Sequence, residues 1–156
     1  MTKFARLFKR KKNHGDPLVF EDLPWLPDDL ARSLTAVTAY LRYTFGPELS
    51  AIGLFGSWQR GEATAGSDVD LVVFLAGDVP WFDADTGLLD ASLAGKDRRR
   101  WRKIERRANT HRLDVRAYSI TVVTPAMLTY YKKNGPAHLQ NWVHAVLSAY
   151  ILDGRD

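Results

Sequence analysis

Apolar residues recur every three or four positions in the first third of the chain, and this spacing is typical of an amphipathic helix. The positions are Leu30, Leu34, Val37 and Leu41. Asp28 or Asp29, just after Pro27, is the expected N-cap, and Gly46 with Pro47 ends the run. The pattern predicts a helix over about 28–45.

Two short apolar runs, 51–55 (AIGLF) and 70–75 (DLVVFL), predict buried strands. A polar connection containing glycine joins them. Residues 113–123 (LDVRAYSITVV) return to alternation and to β-branched residues, which predicts a third strand.

Four further segments are predicted as helices. They are a weak helix over 83–94, a strongly basic one over 96–110, one from Thr124-Pro125 to about Lys133, and a last one after Gly135-Pro136. The last carries an apolar stripe that we assign to the core. Its members are Leu139, Trp142, Val143, Val146, Leu147 and Tyr150.

Length and composition favour a single domain. The chain has 156 residues, is 46% hydrophobic and contains no cysteine, which excludes disulfides and thiolate metal sites. We expect a basic appendage over 1–17 and one domain over 18–156. No apolar run suits a membrane span or a signal peptide, so we expect a cytoplasmic protein.

The net charge of +4 is unevenly distributed. Residues 1–12 hold six Lys/Arg and no acid, and residues 98–107 hold seven Lys/Arg against Glu105 alone. The remaining residues are acidic on balance, with nine basic and 17 acidic side chains. This pattern argues against a uniformly cationic surface for genome binding.

A glycine and a carboxylate pair mark the candidate chemistry. The first predicted strand ends in Gly56 and Ser57, and the second opens with Asp68, Val69 and Asp70. Because side chains alternate along a strand, Asp68 and Asp70 project on one face while Val69 points into the core. Two adjacent carboxylates repel each other, so a divalent cation is their natural counter-charge. Gly56 and Ser57 would let a phosphate approach the backbone.

The stretch GSWQRGEATAGSDVDLVVFL resembles the minimal nucleotidyltransferase pattern G-S-x-x-x-G-x-A-x-x-x-S-D-x-D-L of the DNA polymerase β superfamily. The matching residues are Gly56, Ser57, Gly61, Ala63, Ser67, Asp68, Asp70 and Leu71. Asp114 lies where the family places its third carboxylate. The resemblance implies an α+β fold, the polymerase-β-like palm, in which helices flank a mixed β-sheet.

The resemblance also implies ATP as substrate and two Mg²⁺ ions, with Mn²⁺ as an alternative. Asp68, Asp70 and Asp114 would be both catalytic residues and metal ligands, with Asp114 as the candidate general base. Nucleotide binding is assigned to four residues of the same turn and loop: Gly56, Ser57, Arg60 and Ser67. Arg60 is equally well explained as a solvated arginine, and Trp58 as a packing residue.

Three functions are consistent with this resemblance. The first is an MNT-type antitoxin that attaches AMP to a tyrosine of a cognate HEPN ribonuclease toxin. The second is a nucleotidyltransferase toxin that modifies tRNA and holds the RNA through the basic segment 98–107. The third is a non-catalytic antitoxin that only covers its partner. The three carboxylates favour an enzyme, and the small size favours the first.

Overall fold

The computed structural model of the protein describes residue 18 and residues 20–112 and 116–154. Within these ranges lie five α-helices, four strands and two short 3-10 helices (Gly46–Glu48 and Asn109–His111); the α-helices and strands are labelled in chain order. They are α1 (Asp28–Phe45), β1 (Leu49–Phe55), α2 (Gly56–Arg60), β2 (Val69–Leu75), α3 (Ala91–Ala108), β3 (Tyr118–Val123), α4 (Pro125–Asn134), α5 (Ala137–Leu147) and β4 (Tyr150–Gly154). The expected appendage 1–17 lies outside the described residues.

The four strands form one mixed sheet in the order β3-β2-β1-β4. β1 is antiparallel to both of its neighbours, whereas β2 and β3 run parallel. A parallel pair needs a crossover connection, and α3 lies in the one between β2 and β3. The sheet is therefore mixed with flanking helices, which confirms the predicted α+β class.

Both faces of the sheet are covered, because apolar residues fill both sides of the central strand β2. Val69, Leu71 and Val73 are fully buried on the face that packs against α1 and α3. Val72 and Phe74 are fully buried on the other face, with residues of α4 and α5. β2 consequently has a fixed register, and its first residues are held at one end of the sheet.

The segment before α3 differs from its prediction. Residues 83–94 do not form one helix; residues 81–90 form turns with an isolated bridge between Phe82 and Leu89. Asp83 accepts hydrogen bonds from the backbone of the following turn, and Gly87 has a φ of +72°. Both features are incompatible with a continuing helix. Asp90 then caps α3 by accepting from the Ser92 and Leu93 N–H groups.

Three other boundaries also differ. Pro27 is the N-cap of α1, and neither Asp28 nor Asp29 caps the helix with its side chain. The third strand begins at Tyr118 rather than residue 113, and residues 113–115 lie outside the described part of the chain. The last helix ends at Leu147, so Tyr150 belongs to β4, a strand that the periodicity did not predict.

The predicted start of α4 is confirmed. Thr124 accepts a hydrogen bond from the Met127 N–H group, and Pro125 takes the first helical position. No helix among the described residues is long and apolar enough to cross a membrane.

Candidate active site

Gly56 stands at the turn where β1 passes directly into the short helix α2. Its φ is +76°, and a Cβ atom placed there would overlap the Asp70 Oδ2 atom. Any other residue would be strained by the backbone angle and would collide with the carboxylate. The glycine therefore allows the main chain to contact Asp70 directly.

Asp68 and Asp70 lie at the beginning of β2, beside this turn. Asp70 pairs with Phe55 across the sheet and is half-buried, while Asp68 is exposed. Burial raises the pKa of the Asp70 carboxyl, the charge of Asp68 raises it further, and Arg60 opposes both effects. Neither carboxylate has an ion-pair or hydrogen-bond partner among the described residues. The pair is thus short of positive charge.

The loop from α2 to β2 is held by internal hydrogen bonds. The Ser67 hydroxyl accepts from the Thr64 N–H group at 3.0 Å, and the Ser67 carbonyl accepts from the Trp58 indole N–H at 2.9 Å. Trp58 is 6% exposed and belongs to the main core. Ser67 therefore shapes the turn that presents Asp68, and Trp58 packs in the core.

Arg60 and Ser57 occupy different positions around the turn. The Arg60 side chain is 50% exposed and pairs with Glu62 at 3.0 Å, which places it in solvent. The Ser57 carbonyl accepts from the Glu62 N–H at 2.9 Å. The Ser57 hydroxyl has no hydrogen-bond partner within the described ranges. Ser57 thus has a donor and an acceptor to offer a ligand.

Arg116 connects the site to α1 and was not anticipated from the sequence. Its side chain is 7% exposed and donates to Asp29 at 2.7 Å. This hydrogen bond holds the pKa of the Asp29 carboxyl below its ordinary value. The Arg116 guanidinium lies 5.3 Å from the centre of the Trp58 ring. An arginine inside an otherwise apolar strand pattern was the available signal.

Asp114 lies outside the described residues, so its position relative to Asp68 and Asp70 is not stated. The segment after it joins β2, because the Ala117 carbonyl accepts from the Val69 N–H at 2.8 Å. No group of three or more metal-ligating side chains occurs in the described ranges, which exclude Asp114. Within the described residues, Asp68 and Asp70 supply carboxylate oxygens, the donors that Mg²⁺ prefers.

The chain matches the model of a known protein family. The model of the family described as "Nucleotidyltransferase domain" matches residues 43–143, well over half of the chain. The matched range contains Gly56, Ser57, Asp68, Asp70 and Asp114. No curated protein matches the chain.

Proposed function

The chain belongs to the nucleotidyltransferase domain family, and from this premise we propose that it transfers AMP from ATP to a hydroxyl group of a partner protein. Family membership itself assigns nucleotidyl transfer, carried by a mixed sheet of the polymerase-β type. The proposal adds the nucleotide, the acceptor and the role of MNT-type antitoxin acting on a HEPN ribonuclease toxin.

The contact between Gly56 and Asp70 is the observation that carries the proposal. A half-buried carboxylate beside a second carboxylate is unfavourable unless a cation compensates it. Gly56 removes the side chain that would fill the space next to Asp70 Oδ2. The donor set and the cradle both fit a hard divalent cation carrying phosphate oxygens.

The proposed roles follow from this arrangement. Asp68 and Asp70 would hold the cation, and the Gly56 and Ser57 backbone with the Ser57 hydroxyl would hold the triphosphate. Bound Mg²⁺ would neutralise phosphate charge and favour the ionised acceptor hydroxyl. Asp114 is proposed to complete the metal ligands and to accept the acceptor proton as general base.

The transfer step itself exchanges one bond for another. The acceptor oxygen forms a bond to the α-phosphorus of ATP while the bond from that phosphorus to pyrophosphate breaks. Arg60 is proposed to contribute charge near the phosphates from its solvent-exposed position. Ser67 is proposed to act on nucleotide binding through the turn that it stabilises.

A protein acceptor is supported by the resemblance of residues 56–71 to the minimal nucleotidyltransferases of toxin–antitoxin pairs. In that arrangement the partner supplies the hydroxyl on its own tyrosine, whose ordinary pKa is about 10. The reaction would inactivate the partner by adding one charged adenylyl group per modified tyrosine.

Calorimetric titration with ATP tests the binding site. With Mg²⁺ present we expect measurable affinity, and with excess chelator we expect none, because phosphates and carboxylates share the cation. The double variant Asp68→Asn/Asp70→Asn should lose this binding, whereas Asp85→Asn, in an exposed turn, should retain it. Equal affinity with and without Mg²⁺ would contradict the site.

Mass spectrometry tests the acceptor. The protein is incubated with ATP, Mg²⁺ and the product of its neighbouring gene, and that product should gain adenylyl units. Asp114→Asn should abolish the gain. Labelling of tRNA with no change in the partner's mass would instead support the tRNA-modifying toxin. Inhibition of the partner with no mass change, retained by Asp68→Asn/Asp70→Asn, would support the non-catalytic antitoxin.

A further inference from the structure

A groove runs along the outer side of β3, the edge strand of the sheet, beneath α3. Its first part is a cavity of about 250 Å³ lined by Arg98, Trp101, Arg102, Glu105, Ile120 and Val122. A second cavity of about 240 Å³ shares Arg98, Trp101 and Val122, and extends the groove to Met127 and Tyr131 of α4. Because they share these three residues, the two cavities lie side by side along β3.

Two side chains close part of this edge. The Asn109 side chain bonds both the N–H and the carbonyl of Tyr118, at 2.8 and 3.1 Å. The Glu105 carboxylate accepts from the Ile120 N–H at 2.8 Å. Both side chains lie where a neighbouring strand would pair, so they satisfy the backbone hydrogen-bonding groups at the beginning of β3.

The remainder of the edge is open. Along a strand, the backbone N–H and carbonyl groups of successive residues point alternately to the two sides. The Ala117 carbonyl points toward β2, where it bonds the Val69 N–H group. The backbone groups of Tyr118, Ile120 and Val122 therefore point outward, away from β2. The Ile120 carbonyl and both polar backbone groups of Val122 have no hydrogen-bond partner in the described part of the chain. These three groups are free to pair with the backbone of an extended segment at Val122.

The wall of the groove is both apolar and cationic. Arg98, Trp101 and Arg102 lie on one face of α3, at i, i+3 and i+4 spacing. Neither arginine forms an ion pair with any described carboxylate, although the Arg98 guanidinium lies 5.7 Å from the Trp81 ring centre. Leu89, which is 44% exposed, extends the apolar lining at the far end.

We propose that this groove binds an extended, acidic segment of another protein as a fifth strand of the sheet. The segment pairs with Val122, places an apolar side chain against Trp101, and sets acidic side chains against Arg98 and Arg102. The surface is distinct from Gly56 and Asp70, and the proposal does not depend on the transferred group or its acceptor.

Charge and backbone hydrogen bonding distinguish this occupant from three others. Residues 1–12 of the chain itself hold six Lys/Arg and no acid, and Arg98 and Arg102 would repel them. A second copy paired through β3 would bring two basic α3 helices together. RNA lacks peptide N–H and C=O groups in strand register, so it would leave the free backbone groups of Val122 unpaired.

Fluorescence anisotropy with the full chain tests the proposal. The probe is an eight-residue peptide with alternating Val and Thr in the centre and two acidic residues at each end. A matched peptide carries Lys in place of each acid. We expect the acidic peptide to bind about ten-fold or more tightly than the basic one, and its affinity to fall as salt is raised.

Two double variants of α3 locate the contact. Arg98→Glu/Arg102→Glu should weaken binding of the acidic peptide about ten-fold or more. Lys103→Glu/Arg107→Glu makes the same charge change on the opposite face of the helix and should weaken it far less. Equal losses in the two variants would overturn the groove as the site, as would equal binding of the two peptides.

Hydrogen exchange tests the added strand independently of any variant. Saturation with the acidic peptide should slow exchange of the Val122 amide about ten-fold or more, because that N–H becomes paired. Unchanged exchange at Val122 would overturn strand addition. Tighter binding of a twelve-nucleotide RNA probe than of the acidic peptide, lost in Arg98→Glu/Arg102→Glu, would overturn the choice of a protein partner.

Discussion

The guanidinium of Arg116 lies 5.3 Å from the centre of the Trp58 ring and also donates to the Asp29 carboxylate of α1. Trp58 directly follows Ser57, and its indole N–H bonds the Ser67 carbonyl, one residue before Asp68. Arg116 thereby links α1, the turn at Gly56 and the segment that follows Asp114. Contacts remote from the carboxylates hold the geometry of the candidate site.

Arg116→Met should destabilise the protein by about 1–3 kcal/mol, because it leaves Asp29 without its partner and uncovers the Trp58 ring. Urea denaturation measures this change. Arg60→Met is the control, since it breaks the exposed pair with Glu62 and should change the free energy of unfolding by less than about 0.5 kcal/mol. Similar losses in the two variants would show that the Arg116 contacts add little.

Gly56→Ala should destabilise the protein by about 1–2 kcal/mol, because alanine disfavours a φ of +76° and its Cβ would collide with Asp70. It should also weaken Mg²⁺-dependent ATP binding by displacing that carboxylate. Urea denaturation and calorimetry measure the two effects. Gly66→Ala is a matched control from the same loop, since its Cβ would meet nothing within 4 Å. Equal behaviour of the two variants would contradict the role of Gly56.

Asp70→Asn should stabilise the metal-free protein at neutral pH. The folded pKa of Asp70 lies above its unfolded value of 3.8, so the ionised group destabilises the fold above the folded pKa. We expect a gain of less than about 1 kcal/mol, because solvent screens a half-exposed charge. The gain should disappear as the pH falls below 3.8. Urea denaturation with chelator, from pH 7 downward, measures it.

In the same experiment, Asp29→Asn should change the stability in the opposite direction. The folded pKa of Asp29 is lowered by its hydrogen bond to Arg116, so the ionised group stabilises the fold above the unfolded pKa of 3.8. The variant should lose stability at neutral pH and match the parent protein once the pH has fallen through the folded pKa. A loss that is independent of pH would contradict an ionic origin.

Asn109→Ala should destabilise the protein by about 1–3 kcal/mol, because the Asn109 side chain bonds the Glu105 carbonyl and both backbone groups of Tyr118. Thermal or urea denaturation measures the effect. Asn134→Ala removes one exposed hydrogen bond to Tyr130 and should change stability by less than about 0.5 kcal/mol. A loss equal to that of Asn134→Ala would show that the edge of β3 does not need its cap.

Elements whose ends depend on local chemistry were predictable from the sequence. The α1 periodicity stops at Gly46, and α4 begins with Thr124 and Pro125, as expected. β4 was not predicted because its strand conformation comes from pairing with β1, about a hundred residues earlier. The apolar stripe of α5 continues in register through Tyr150, so the pattern contained no stop signal.

Some residues of the candidate site could likewise be predicted from the sequence, and others could not. The fixed spacing of the motif identified Gly56 and Asp70, which the fold brings into contact. That these residues bind a metal-bound nucleotide stays a prediction, as does the role of Asp114. Arg116 was not predicted because its structural role depends on contacts with Asp29 and Trp58, which are distant in sequence and adjacent only after folding.

The order of the strands in the sheet also has a consequence for folding. Phe55 and Asp70 are paired across a short stretch of chain, whereas Ala51 and Gly154 are paired across about a hundred residues. The longer loop exceeds the shorter one by nearly three doublings of length, and each doubling adds about 0.6 kcal/mol to the entropic cost of closing the loop. We therefore expect β1 and β2 to pair early and β4 to dock late. The turn at Gly56 and the carboxylate of Asp70 would then meet in the first hairpin that the chain forms, before its edges are complete.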